Sequence, residues 1–181
     1  MEVGTPPDNV LPTYNAVPPS PELKLRAITA AASPGTSSGY AQGWVTDPVG
    51  LWVNSEQINV SWNWSGVPQT CASLYSYSEG VPASFAGWYK VYQSIYPITD
   101  CVSDPTTGVF YTEAGAGGYV NWQDDSWPGC SSSANSYYWP IYAEGDNFGN
   151  LYGNYAWELT GNGVGCINLL TPNFQLNRTY N

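Results

Sequence analysis

The densest acidic spot in the chain is Trp122-Gln123-Asp124-Asp125-Ser126-Trp127. Carboxylates accept hydrogen bonds from sugar hydroxyls, and indole faces stack on the apolar faces of sugar rings. Asp124 and Asp125, flanked by Trp122 and Trp127, therefore form a candidate sugar-holding loop. The same pattern also fits a solvated loop between strands whose tryptophans are buried. A glycosidase needs two carboxylates across a cleft. Glu56, Glu79, Glu113, Glu144 and Glu158 are available for that role, but none lies in a glycanase motif. Calcium at Asp124, Asp125 or Asp146 would lack EF-hand spacing, since Asp146-Asn147-Phe148 breaks the D-x-D pattern. No nucleophile arrangement and no Gly-rich phosphate loop is readable. The expectation is no catalytic residue, no metal and no cofactor.

Cys71, Cys101, Cys130 and Cys166 are even in number, widely spaced and free of any CxxC pair. With no histidine in the chain, a mixed zinc site is excluded. Two disulfides are expected, with three connectivities open. Sequential pairing, Cys71 with Cys101 and Cys130 with Cys166, closes loops of moderate length and is preferred. Four buried thiols are the alternative if the chain folds in a reducing compartment.

The remaining inventory narrows the function classes. Lacking His, the chain lacks the commonest side chain for moving protons near neutral pH. Its cations are Lys24, Arg26, Lys90 and Arg178 alone, against a net charge of −10, so it has no basic groove for nucleic acid. Membrane insertion is not expected either, because no stretch approaches the roughly 18 apolar residues of a span. Residues 1–30 show no basic start followed by an apolar core, so either Met1 replaces a removed signal or the protein leaves its cell by lysis or assembly. Charged residues are only 10% of the chain, while nine Trp and fifteen Tyr are present. A surface of Ser, Thr, Asn, Gln, Gly and Tyr follows, a pattern common in secreted proteins and outer shells.

The elements that must position these residues read as strands. Nineteen Gly and fifteen Pro alongside many Tyr, Trp, Val, Ser and Thr favour strands and turns. Gln57 to Trp64 alternates most clearly: Ile58, Val60, Trp62 and Trp64 point one way, Gln57, Asn59, Ser61 and Asn63 the other. Glu22 to Ile28 reads as an opening strand, and Ser33 to Gly39 as a turn-rich loop. Further strands are expected over 72–77, 87–93, 108–112, 118–122, 136–143, 152–159 and 163–170. Pro140 makes its strand an edge or gives it a bulge. About eight or nine short strands in one domain fit a two-sheet sandwich.

Residues 1–21 hold Pro6, Pro7, Pro12, Pro18, Pro19 and Pro21 and read as an extended arm ahead of a domain over 22–181. Leu11, Tyr14 and Val17 recur every third residue and would share one side of a polyproline helix, poised to mediate assembly with a neighbouring subunit. A plain linker is the alternative.

Leu51-Trp52-Val53-Asn54, the alternating strand after it, and Asp146-Asn147-Phe148-Gly149-Asn150 occur in order. Over about residues 45–160 this resembles the bacterial immunoglobulin-like domains of surface proteins, with their W-x-N opening and D-N-x-G-N turn. The resemblance implies an immunoglobulin-like sandwich acting as a non-catalytic spacer, adhesin or binding module. The expectation is thus an all-β sandwich with an extended arm, non-enzymatic, structural or adhesive, in an extracellular or virion assembly. Its partners would be neighbouring protein subunits, a further copy included, or a surface glycan. A secreted carbohydrate-active protein is the alternative. Asn59, Asn63 and Asn177 also match the N-glycosylation acceptor pattern.

Overall fold

The computed structural model describes residues 34–67, 70–80, 84, 87–103, 106, 110–126, 133–161 and 170–179. The expectations for the 1–21 arm, including Leu11, Tyr14 and Val17, and for the 22–28 strand fall outside these residues. So do those for Trp127, Cys130 and Cys166.

Among the described residues, eight strands form two antiparallel four-stranded sheets. They are β1 (Gly35–Thr46), β2 (Trp52–Trp64), β3 (Ser73–Glu79), β4 (Tyr89–Ser103), β5 (Phe110–Asp124), β6 (Ala134–Asp146), β7 (Leu151–Thr160) and β8 (Thr171–Thr179). The first sheet has the order β3-β2-β1-β8 and the second β4-β5-β6-β7. The second is a plain meander. In the first, β8 returns beside β1 after the whole second sheet has been built, which is the Greek-key order. β2 packs across β5 and β6, and β1 across β6 and β7. This is the all-β, two-sheet sandwich that the alternation and turn spacing lead one to expect.

The β2 register is as read from the sequence. Ile58, Val60 and Trp62 are buried, while Gln57, Asn59, Ser61 and Asn63 lie on the outer side. They meet Ala114, Ala116, Val120, Trp122, Tyr138, Ile141 and Ala143 of the second sheet, and removing this surface from water drives the two layers together.

Two expectations are corrected. The loop expected over Ser33–Gly39 is largely strand: β1 starts at Gly35 and pairs on both sides, with β2 and with β8. Its small inward residues have low strand propensity, yet two paired neighbours supply the backbone partners, and tertiary context overrides. The strands expected at 108–112 and 118–122 are one element, β5. Its Ala114-Gly115-Ala116-Gly117-Gly118 run stays extended because large neighbours occupy the missing side-chain space: Tyr96 lies against Gly117, Glu144 against Gly115 and Ile58 against Gly118. The strand expected over 163–170 lies, but for Leu170, outside the described residues; the strand β8 runs over Thr171–Thr179, and its Pro172 is tolerated because β8 is an edge strand. At Pro140 the bulge is the realised alternative. β6 lies between β5 and β7, and its register shifts on both sides of Trp139-Pro140.

Candidate functional site

At one end of the sandwich, β5 delivers Trp122 and Asp124 to the core side and Gln123 to the outer side. Trp122 is 3% exposed and Asp124 1%. The Asp124 carboxylate accepts hydrogen bonds from the Ser126 N–H at 2.8 Å and the Ser126 hydroxyl at 3.0 Å, capping the start of the β5–β6 connection. Asp125 is exposed and accepts from Gln123, Ser133 and Tyr89 at 2.6, 2.6 and 2.9 Å. These donors, Ser133 first, hold its carboxyl below the ordinary range. Of the candidate sugar-holding loop, Asp125 is thus exposed, whereas the Trp122 face is packed inside and Asp124 is bonded to Ser126, because both continue the inward alternation of Val120.

Trp122 instead forms a wall of a partly buried ionic cluster. Lys90 Nζ lies 5.3 Å from the Trp122 ring centroid, 3.0 Å from Gln93 Oε1 and 3.7 Å from Glu56 Oε2, and it is paired with Glu79. Glu56 is completely buried, and neither of its oxygens has a hydrogen-bond partner. Burial pushes its carboxyl up to about 8, against the pull of Lys90. Nearby, Asn54 Oδ1 accepts from Tyr138 at 2.9 Å and Ser136 at 3.3 Å, and Trp157 donates to Ser136 at 2.8 Å. Sequence reasoning missed this inner polar layer, although the signal was present. Extending the Ile58/Val60/Trp62 face two steps back places Glu56 and Asn54 inside.

The outer face of the second sheet gathers aromatics and acids. Tyr96 and Tyr119 stack at 5.4 Å, Tyr119 meets Trp139 edge-on at 5.4 Å, and Tyr137 meets Trp139 edge-on at 5.7 Å. Toward its other end, Asp100 pairs across the ladder with Glu113, and Glu113 with Asp146. Glu144, 8% exposed, is pushed well above the ordinary carboxylate range by burial and then by the adjoining Glu113.

The outer face of the first sheet is different in kind. Its charged residues, Glu56, Glu79 and Arg178, all take inner-face positions: Glu56 is buried, Glu79 pairs with Ile58, and Arg178 pairs with Gly39 and donates to Ser37. The outward positions carry amides, hydroxyls and rings in cross-strand rows. Gln175 donates to Gln42 at 2.6 Å, Asn177 to the Tyr40 hydroxyl at 3.2 Å, Ser61 to Ser38 at 3.0 Å, and Thr36 to Asn63 at 2.7 Å. Trp44 and Trp52 stack at 5.5 Å with 25° between planes, and Trp52 is 40% exposed. A shallow depression between β2 and β3, lined by Asn59, Ser61, Ser76, Tyr77 and Ser78, continues the same surface.

Among the described residues, no group of three or more acidic, His or Cys side chains is placed to hold a metal ion. No family model, curated protein or solved structure matches the chain. One disulfide, Cys71–Cys101, joins the segment leading into β3 to β4, tying edge strands of opposite sheets, and it fits an oxidising, extracellular setting.

Proposed function

We propose that this chain is a non-catalytic adhesive module of an extracellular surface, akin to the immunoglobulin-like surface domains that its short motifs resemble. The observation that carries the reading is the sorting of its two outer faces, one free of charge and ordered in hydrogen-bonded rows, the other acidic. A preorganised face suits contact with another surface and lowers the entropy lost on docking. The carboxyl arrangement supports the non-catalytic part. Glycosidase carboxyls face one another across a cleft, whereas Glu113 and Glu144 stand on adjacent strands of one sheet face. In this reading the proline-rich segment 1–21, with Leu11, Tyr14 and Val17, is the tether to a larger assembly such as a cell envelope or virion. The test is retention of the full chain on insoluble polysaccharide particles, protein-coated beads and beads bearing the same chain, with soluble products assayed. Retention on at least one surface without released product is expected. Multiple turnovers of released product per protein would overturn the reading.

A further inference from the structure

The adhesive reading leaves the partner open, and the chemistry of the first sheet narrows it. We propose that the outer face of β1, β2 and β8 binds a neutral polysaccharide, with Tyr40, Trp44 and Trp52 as the stacking platform and Gln42, Gln175 and Asn177 as hydroxyl readers. This inference rests on the adhesive reading and deepens it.

Charge is the first argument. The chain carries −10, yet the outward positions of its first sheet bear no ion among the described residues. An anionic polymer gains nothing there and is repelled by the molecule as a whole. A cationic partner would be drawn to the Asp100/Glu113/Glu144 side instead. A neutral ligand is what a charge-free face in a strongly acidic chain accommodates.

Ring geometry is the second. Tyr40 and Trp44 project from the same face of β1, four residues and therefore roughly 13 Å apart. Trp52, 40% exposed, stacks on Trp44 and holds that ring in place. The C–H groups of a sugar ring carry slight positive charge and prefer the negative face of an aromatic ring. The second sheet also carries rings on its outer face, Tyr96, Tyr119, Tyr137 and Trp139, but there they share the face with Asp100, Glu113 and Glu144.

Amide order is the third. A side-chain amide has two donor hydrogens and an acceptor oxygen with two lone pairs. The Gln175–Gln42 and Asn177–Tyr40 bonds use one donor each, fixing the groups in place while leaving capacity turned to solvent. Such groups bind vicinal hydroxyls with little further loss of rotamer freedom.

The experiment uses the full chain in native gels containing a soluble neutral polymer, in turn hydroxyethylcellulose, xylan, a β-1,3-glucan and a mannan, with alginate as the anionic control. Retardation by at least one neutral polymer and not by alginate is expected. Trp44→Ala, Trp52→Ala and Gln42→Glu should each weaken it by at least about tenfold. Tyr119→Ala, on the opposite sheet, should leave it unchanged. Thermal melts of all four variants confirm that each is folded, and Trp52→Ala, the most exposed ring change, keeps the test open if Trp44→Ala unfolds. The inference falls if no neutral polymer retards the chain, or if retardation survives both Trp52→Ala and Gln42→Glu. It falls too if these variants abolish retention on protein-coated or same-chain beads instead. In that last case the face is a protein interface, and the adhesive reading stands without its glycan.

Discussion

The indole of Trp62 lies directly on the backbone of Gly145. A Cβ built on Gly145 would come within 1.9 Å of the Trp62 ring, and Trp62 Nε1 donates to the carbonyl of Asp146 at 3.0 Å. The largest fully buried side chain of the first sheet thus fits a glycine-sized gap in the second, and the next carbonyl satisfies its polar atom.

Gly145→Ala should therefore be a destabilising overpacking change of about 3 kcal/mol. Trp62→Ala should cost about 3–5 kcal/mol through the cavity left behind. Because the two share one contact, the double variant should cost clearly less than the sum. Denaturant midpoints of the four proteins measure the coupling. Additive losses would mean that the ring and the glycine do not meet.

How far the fold is legible in the sequence depends on what each strand has to pack. β2 carries large apolar residues at every second position, so Ile58, Val60 and Trp62 declare its register. β1 presents Ser37, Gly39, Ala41 and Gly43 inward, and these read as a turn until Tyr138 and Leu151 are known to fill the space above them. β5 hides in the same way behind its Ala/Gly run. The Asp146 turn was legible because its chemistry is local, whereas the first-sheet face is assembled from strands over 130 residues apart, and no local pattern announces it.

The two turns closing β1–β2 and β6–β7 use the same device. Asp47 accepts from the N–H groups of Val49 and Leu51, and Asp146 from those of Phe148 and Asn150, with Gly50 and Gly149 at positive φ. Asp146 additionally accepts from the Asn150 amide and the Tyr152 hydroxyl. Asp146→Ala should cost about 1–3 kcal/mol and Asp47→Ala about 1 kcal/mol, the difference following the number of bonds lost. Urea unfolding ranks them, and a reversed order would break the argument.

Cys71 and Cys101 are 30 residues apart and bridge the two sheets along one side. Replacing both by Ser should lower stability by about 3–4 kcal/mol on the chain-entropy account. The loss should appear in the denaturant midpoint with little change in the near-UV signal of the core tryptophans at low denaturant. An unchanged midpoint would show that the bridge adds nothing to the packing of β3 against β4.

Acid should stabilise this domain, contrary to the usual behaviour of an acidic protein. Glu56 has an ordinary carboxyl value of 4.5 and is raised to about 8 by burial, so the folded state keeps a proton that the unfolded chain releases. Its contribution is fully present below about pH 4.5 and is lost as pH rises through about 8, because the unfolded chain binds fewer protons across that window. Glu144, raised by burial and by Glu113, acts in the same direction. Stability should fall by on the order of a few kcal/mol between pH 5 and pH 8. Glu56→Gln should flatten that slope, since an amide fills the site without titrating. Lys90→Met should carry the fall on above pH 8, since Lys90 is what pulls the Glu56 value down. Melting temperatures of the three proteins at half-unit pH steps decide the matter. Wild-type stability that climbs from pH 5 to pH 8 would show Glu56 to be ionised beside Lys90 throughout.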